Sequence, residues 1–182
     1  YVIADSGAAV VLVDPEQAER VAAIRVELPA VREVVVYGSP EWHALLDGPA
    51  TPPPPPDGAG GSMIYTSGTT GKPKGAVRGP TDPEYTRTLA ATLRLRPHEE
   101  VHLTTGPLYH SGPLAWALLT HALGGTVVLL RRFDAARWVE LVREHRVTNT
   151  FTAPTPLKRV VALPDDVLAH ADLSSMRSLV VN

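Results

Sequence analysis

The sequence of 182 residues contains no cysteine. This absence excludes disulfide bonds, a thiolate nucleophile and zinc sites built from thiolates. A chain without cysteine also fits a reducing compartment, so we expect a cytoplasmic protein.

The sequence also lacks an excess of charge of one sign and a long apolar run. Its 17 basic and 19 acidic side chains give a formal net charge of −2, whereas binders of nucleic acids or membrane surfaces usually carry a basic excess. No apolar run approaches the roughly 18 residues that span a bilayer, and runs such as residues 126–130 have the length of a strand. We therefore expect no nucleic-acid partner, no membrane span and no signal peptide.

Short apolar runs alternate with helical patterns along most of the chain. Asp14-Pro15 and Ser39-Pro40 are typical helix starts, and Gly124-Gly125 is a typical helix end. The clearest helix begins at Asp134 and has residues at helical spacing, namely Trp138, Leu141, Val142 and His145. Strands are predicted at 10–13, 34–37, 63–66, 101–104, 126–130, around 151 and at 179–182, with further helices at 40–46, 114–123 and 154–163. This alternation predicts an α/β fold with a doubly wound, mostly parallel sheet and helices on both faces.

Residues 47–61 interrupt the alternation and are rich in proline and glycine. Five consecutive prolines, residues 52–56, favour an extended spacer, and the glycines that follow favour flexibility. We predict a linker at 47–61 between α/β segments at 1–46 and 62–182. The proline run could instead bind an aromatic groove of a partner. Because the chain begins without methionine and closes on an apolar strand, we expect it to be part of a larger domain.

The residues that indicate chemistry are Tyr-Thr-Ser-Gly-Thr-Thr-Gly-Lys-Pro-Lys-Gly at positions 65–75. Glycines let the backbone approach an anion closely, and consecutive backbone amides form a nest for phosphate oxygens. The hydroxyls add neutral donors, and Lys72 and Lys74 add positive charge. We therefore expect this loop to bind a polyphosphate.

Two better-known phosphate loops do not fit these residues. A P-loop requires glycine where Thr66 stands and a hydroxyl residue where Pro73 stands. The dinucleotide fingerprint requires a further glycine before Gly68 and Gly71.

Residues 65–75 instead resemble the phosphate-binding signature of the AMP-forming acyl-CoA synthetases, a superfamily of adenylate-forming ligases that also includes beetle luciferases and the adenylation domains of peptide synthetases. Further segments are similar to the same family and extend the resemblance over essentially the whole chain; they are residues 5–8, 107–110, 152–157 and 172–177. The resemblance implies part of the large N-terminal domain of such an enzyme.

The resemblance also implies an activity and its ligands. ATP and a carboxylic acid would form an acyl adenylate and pyrophosphate, and coenzyme A would then take the acyl group. The implied cofactors are ATP, Mg²⁺ and coenzyme A. The loop residues implied to bind phosphate are Thr66, Ser67, Gly68, Thr69, Thr70, Gly71, Lys72 and Lys74. Fatty acid metabolism is the expected setting, although the sequence leaves fatty and aromatic acids both open.

His110 is the candidate catalytic residue, because the family's corresponding motif lies beside the acyl carboxylate and the adenylate. Trp116 follows in a region where long-chain members place a gating aromatic, but core packing is the expectation for it. No metal site is predicted, because His98 and His102 lack a third ligand and the other histidines are scattered. Asp165-Asp166 is expected to cap a helix.

The sequence departs from the family pattern in two ways. No histidine follows the Lys-Gly of the loop, and the chain closes before the Gly-Gly-Ala-Pro segment, the Tyr-Gly-x-Thr-Glu motif, the ribose-binding Asp and the C-terminal domain with its catalytic Lys. We therefore expect 182 residues alone to be inactive. The alternatives are a stand-alone, non-catalytic nucleotide- or phosphate-binding module and, within the superfamily, an amino-acid adenylation domain.

Overall fold

A computed structural model describes residues 1–49, 60–66, 71–79 and 82–182. The chain divides into two compact units, residues 1–80 and 81–182. Most of the predicted linker, residues 50–59, lies outside the described residues, so the predicted division at 47–61 stays a prediction. In the part of the chain that the structure describes, no helix combines the length and the apolar character that crossing a bilayer requires.

The first unit begins with a parallel two-stranded sheet and its crossover helix. Its elements are α1 (Val2–Asp5), β1 (Val10–Val13), α2 (Pro15–Ala23), a 3₁₀ turn (Arg25–Glu27), β2 (Glu33–Val36) and α3 (Pro40–Leu46). The two strands pair in parallel from Val10 with Glu33 to Val13 with Val36. The Asp14 carboxylate accepts from the Glu16 N–H at 3.0 Å, and the Ser39 hydroxyl accepts from Trp42 N–H at 3.2 Å. Both predicted helix starts are therefore confirmed.

An antiparallel hairpin follows, formed by β3 (Ser62–Thr66) and β4 (Lys74–Arg78). The second strand was not predicted, because Lys-Gly-Ala-Val-Arg has neither an apolar run nor strict alternation. All five of its residues are exposed. Pairing with β3, rather than local propensity, makes it a strand.

The second unit is built on a four-stranded parallel sheet in the order β6-β5-β7-β8. Its strands are β5 (Val101–Leu103), β6 (Thr126–Val128), β7 (Asn149–Thr152) and β8 (Ser178–Val181), and its helices are α4 (Pro83–Thr92), α5 (Ser111–Ala122), α6 (Ala135–His145), α7 (Pro154–Val161) and α8 (Asp165–Ala169). Helix α4 was missed, although Asp82-Pro83-Glu84 repeats the start signal of α2 and the Asp82 side chain caps Glu84 N–H at 2.8 Å.

Helices cover both faces of this sheet. Successive strand residues face opposite ways: Leu103 packs in a core with α6 and α7, while His102 stacks on Trp116 of α5. The predicted α/β fold with a mostly parallel sheet is confirmed, with the hairpin as its antiparallel exception.

On α6 the residues Trp138, Leu141 and Val142 are buried, and His145, at the helix end, is exposed. One local expectation differs from the structure. Asp165 and Asp166 do not cap α8, because Pro164 occupies the N-cap position without a side-chain bond. The two carboxylates lie in the first turn, where the helix dipole favours negative charge.

Candidate functional site

The base of the predicted phosphate loop is the end of the β3–β4 hairpin at which the loop joins the two strands. Thr66 and Lys74 are paired directly, and the Thr66 hydroxyl lies 3.5 Å from the Lys74 carbonyl oxygen. Directly opposed residues of an antiparallel pair point to the same face. Thr66 and Lys74, both exposed, therefore stand together on one face with a hydroxyl and an ammonium group.

The opposite face of the hairpin is anchored to the N-terminal helix. Tyr65 pairs with Gly75, and a Cβ on Gly75 would lie 3.2 Å from Tyr65 Cζ and 2.7 Å from Met63 Sδ. The tyrosine ring therefore occupies space that only glycine leaves open, and its hydroxyl donates to Asp5 Oδ2 at 2.7 Å. That hydrogen bond, followed by burial and the negative charge of Asp5, raises the pKa of Tyr65 to about 12. The hydrogen bond from Tyr65 to Asp5 thus requires the protonated phenol.

The far side of the loop contains Gly71 and Lys72. Gly71 has φ +89°, a conformation that L side chains rarely adopt. The Lys72 ammonium lies 5.6 Å from the centre of the Tyr1 ring, within cation–π range. Ser67, Gly68, Thr69 and Thr70 lie outside the described residues. The phosphate-binding role of all eight loop residues stays a prediction.

The second unit carries a cavity of about 350 Å³ at the carboxyl ends of its strands. After β5 the chain forms β6 on one side of β5, and it then crosses to form β7 on the opposite side of β5. The sheet therefore has a topological switch point between β5 and β7. Open parallel sheets bind ligands at that point. The wall is mostly apolar, and its lining residues are Thr105, Gly106, Pro107, His110, Gly112, Pro113, Phe151, Thr152, Ala153, Pro156 and Asn182.

His110 lines this cavity from the N-cap position of α5. Its side chain makes no capping bond, and its ring lies 4.7 Å from that of Tyr109. The histidine is exposed, so its ring nitrogens can reach a ligand. The first turn of α5 contributes Gly112 and Pro113 to the same wall, which places the positive end of a twelve-residue helix beside the cavity. This arrangement favours an anionic group next to His110.

A buried polar network lies at the amino ends of the inner strands β5 and β7 and was not predicted. The Glu100 side chain is 1% exposed. Its Oε1 accepts from Arg96 N–H at 2.8 Å and from Arg177 Nη2 at 2.6 Å, while Oε2 accepts from Thr148 Oγ1 and from Asn149 Nδ2. Burial raises the pKa of the Glu100 carboxyl, but these donors outweigh burial and hold that pKa below its ordinary value. Glu100 is therefore a buried carboxylate.

His102 extends the network toward α5. Its Nδ1 lies 2.6 Å from Asn149 Oδ1. Because Asn149 uses its amide group on Glu100, its oxygen must accept, and Nδ1 of His102 must carry the proton. Burial lowers the pKa of His102, and the Asn149 contact and the Glu100 charge offset only part of that effect. The signal in the sequence was a histidine within the apolar strand β5, together with three polar residues, Thr148 to Thr150, at the start of the paired strand β7.

Comparisons with known proteins identify the family of this chain. The family model described as AMP-binding enzyme matches residues 1–182. The chain belongs to the AMP-binding enzyme family. It is similar to a feruloyl-CoA synthase from Amycolatopsis sp (34% identical over 180 residues, 98% of this chain and 35% of the relative). It is also similar to an indoleacetate–CoA ligase from Aromatoleum aromaticum (34% identical over 187 residues, 97% of this chain and 36% of the relative).

The inhibitor-bound N-terminal domain of FACL13 from Mycobacterium tuberculosis superposes with a TM-score of 0.82 at 25% identity, covering 99% of this chain and 46% of that one. This agreement shows the fold of an N-terminal domain of the AMP-binding family. The chain spans about a third of the length of the curated relatives it matches.

In this AMP-binding chain, the predicted site residues fall in both units. The loop residues belong to the first unit and His110 to the second. Among the described residues, no group of three histidine, aspartate or glutamate side chains could hold a metal ion. His102 is a core histidine of the network, and Trp116 is half-buried between the rings of His102 and Phe151, as expected for core packing.

Proposed function

We propose that the protein containing this chain is an ATP-dependent, AMP-forming acid–thiol ligase. A carboxylic acid and ATP would give an acyl adenylate and pyrophosphate, and the thiol of coenzyme A would then displace AMP. The observation that carries the proposal is the β3–β4 hairpin, which holds the glycine- and hydroxyl-rich loop between Thr66 and Lys74 in a chain of the AMP-binding family.

The hairpin supports the first half-reaction through electrostatics. Attack of a carboxylate on the α-phosphorus breaks the bond to pyrophosphate, on which negative charge then develops. Fixed donors placed where charge develops stabilise that transition state. Thr66, Lys72 and Lys74 are available near the described ends of the loop, and the Tyr65–Asp5 bond of 2.7 Å holds the base of the loop from the opposite face.

The switch-point cavity supports binding of the acid. Its apolar wall suits a hydrocarbon group, while His110 and the first turn of α5 suit the carboxylate. In this proposal His110 orients the carboxylate for attack and takes no part in covalent chemistry. We further propose an aromatic acid as the preferred substrate, because two relatives at 34% identity are named for feruloyl and indoleacetate groups and Phe151 offers an aromatic wall.

ATP, Mg²⁺ and coenzyme A are proposed as the ligands of the whole protein. The described residues offer no metal-binding cluster. We propose a cytoplasmic location, which the absence of cysteine supports.

The test is acid-dependent exchange of labelled pyrophosphate into ATP by the full-length protein. The acids are ferulate, indole-3-acetate and octanoate. We expect exchange with at least one aromatic acid, and we expect Lys72→Ala to slow it about tenfold or more, the size of one charge-assisted hydrogen bond. Lys158→Ala is the matched control, since Lys158 is an exposed lysine of α7 outside both parts of the site.

Each result separates the possibilities. Exchange with octanoate alone would refute the aromatic preference and leave the ligase activity in place. Binding of pyrophosphate without exchange for any acid would support a non-catalytic phosphate-binding module instead. Equal rates for Lys72→Ala and Lys158→Ala would refute the role of the loop.

A further inference from the structure

Three nearly parallel rings connect the buried network to the wall of the switch-point cavity. The ring centres of His102 and Trp116 lie 6.0 Å apart at an interplanar angle of 18°. Those of Trp116 and Phe151 lie 5.7 Å apart at 20°. Both separations are within the range of stacked aromatic pairs. Because Phe151 lines the cavity, the stack runs from the core to a surface that a ligand would touch.

The buried end of the stack has a fixed orientation. His102 is 0% exposed, and its Nδ1–H donates to Asn149 Oδ1 at 2.6 Å. Asn149 is in turn held by its bond of 2.7 Å to Glu100 Oε2. The imidazole therefore cannot rotate without breaking a buried hydrogen bond, which is costly. Among the described residues, His102 Nε2 is buried without a partner, so packing rather than a second hydrogen bond confines that side of the ring.

The Phe151 ring, at the cavity end of the stack, is also closely packed. A Cβ on Gly112 would lie 2.5 Å from Phe151 Cε1, so the Phe151 ring rests against the backbone of α5. Trp116, one turn further along the same helix, stacks on the Phe151 ring. A shift of the middle ring must therefore move Phe151, since closely packed groups transmit displacements.

We infer that His102 is a positioning residue that sets the acid selectivity of the switch-point cavity. Held by Asn149 and Glu100, it fixes Trp116, and Trp116 fixes the Phe151 wall. This inference rests on the proposed ligase function, because it concerns which acid the cavity accepts.

The test compares three variants of the full-length protein in the pyrophosphate-exchange assay, with KM measured separately for the acid and for ATP. His102→Leu removes the stacking ring, and His102→Phe restores a ring without the hydrogen bond. Thr150→Val is the matched structural control. Thr150 is also 0% exposed, lies between Asn149 and Phe151 on β7, and donates one bond to the Leu103 carbonyl at 2.7 Å. Its side chain faces the other side of the sheet.

We expect His102→Leu to raise KM for the preferred acid about tenfold, the upper size of one aromatic pair, and to change the ranking of the three acids. KM for ATP should stay within about twofold, because the loop belongs to a different unit. His102→Phe should bring KM for the acid back to within about threefold of the wild type. Thr150→Val should lower the unfolding midpoint without changing either KM.

Three results would overturn the inference: an unchanged acid ranking in His102→Leu, an equal rise in both KM values, or the same acid effect in Thr150→Val. If His102→Leu does not fold, Trp116→Leu and its rescue Trp116→Phe test the same stack from a half-buried position. An inactive wild type would refute the proposed function itself, whereas an active wild type with indifferent variants would refute only the role of His102.

Discussion

Replacing Glu100 by glutamine tests whether the second unit depends on a buried carboxylate. Glutamine keeps the shape of the side chain but turns one acceptor oxygen into an NH₂ donor. Each oxygen of Glu100 accepts from two donors: Oε1 from Arg96 N–H and Arg177, and Oε2 from Thr148 and Asn149. Whichever way the amide is turned, its NH₂ group therefore faces at least one N–H donor: Arg96 and Arg177 on one side, or Asn149 on the other.

The expected magnitude follows from burial and pairing. Removing one partner of a buried ion pair costs about 3–5 kcal/mol. The Glu100 side chain is 1% exposed, but that of Arg177 is 32% exposed, so water compensates part of the loss and the lower figure applies. We expect Glu100→Gln to lower the free energy of unfolding by about 3 kcal/mol. Lost activity should follow instability rather than a missing catalytic group.

The assay is urea unfolding followed by tryptophan fluorescence, with hydrogen exchange of the β5 and β7 amides to locate the effect. Glu99→Gln is the matched control, because the neighbouring Glu99 makes an exposed ion pair with Arg96 at 3.3 Å and should cost less than about 1 kcal/mol. If the two variants differ by less than about 1 kcal/mol, or if exchange rises equally in both units, the reasoning is wrong.

Three further predictions concern acid, base and packing. In the wild type, burial keeps His102 neutral, so stability of the second unit should fall as pH drops below about 6.5 toward the lowered pKa of His102. A second loss should follow below about 4.5, as pH falls through the lowered pKa of Glu100. In unfolding curves measured between about pH 7 and 3, Glu100→Gln should reduce this second loss while the loss from His102 remains. The phenol of Tyr65 should ionise near pH 12. Its contribution to stability is therefore complete below about pH 10 and disappears as pH rises through 12. Absorbance titration of the wild type against Tyr65→Phe checks this, and Asp5→Asn should bring the pKa of Tyr65 back toward 10. Gly75→Ala should displace the Tyr65 ring, because the new Cβ would lie 3.2 Å from its Cζ. The pKa of Tyr65 should then fall in the same absorbance titration. An unchanged pKa would contradict the close contact.

Much of the fold was predictable because its signals are local. The caps at Asp14, Ser39 and Asp134 are each confirmed by a side-chain bond to a backbone N–H two or three residues away. Where a local signal was absent, as in β4, or was overlooked, as at Asp82, the element was missed. For His145 the sequence left a solvated and a core role both open, because helical spacing gives the face of a residue but not the extent of the neighbouring core.

The sequence by itself determined the composition of the loop at 65–75, from which phosphate binding is predicted, and the alternation of strands and helices, since both depend on residues adjacent in the chain. Only the tertiary structure decided the strand order β6-β5-β7-β8, and with it the cavity that brings His110 near Phe151. The same holds for the Glu100, Asn149 and His102 network, whose bonds join residues 47 to 49 positions apart. Such contacts depend on the register between strands, which is set by burial of whole faces and has no short-range signal in the sequence.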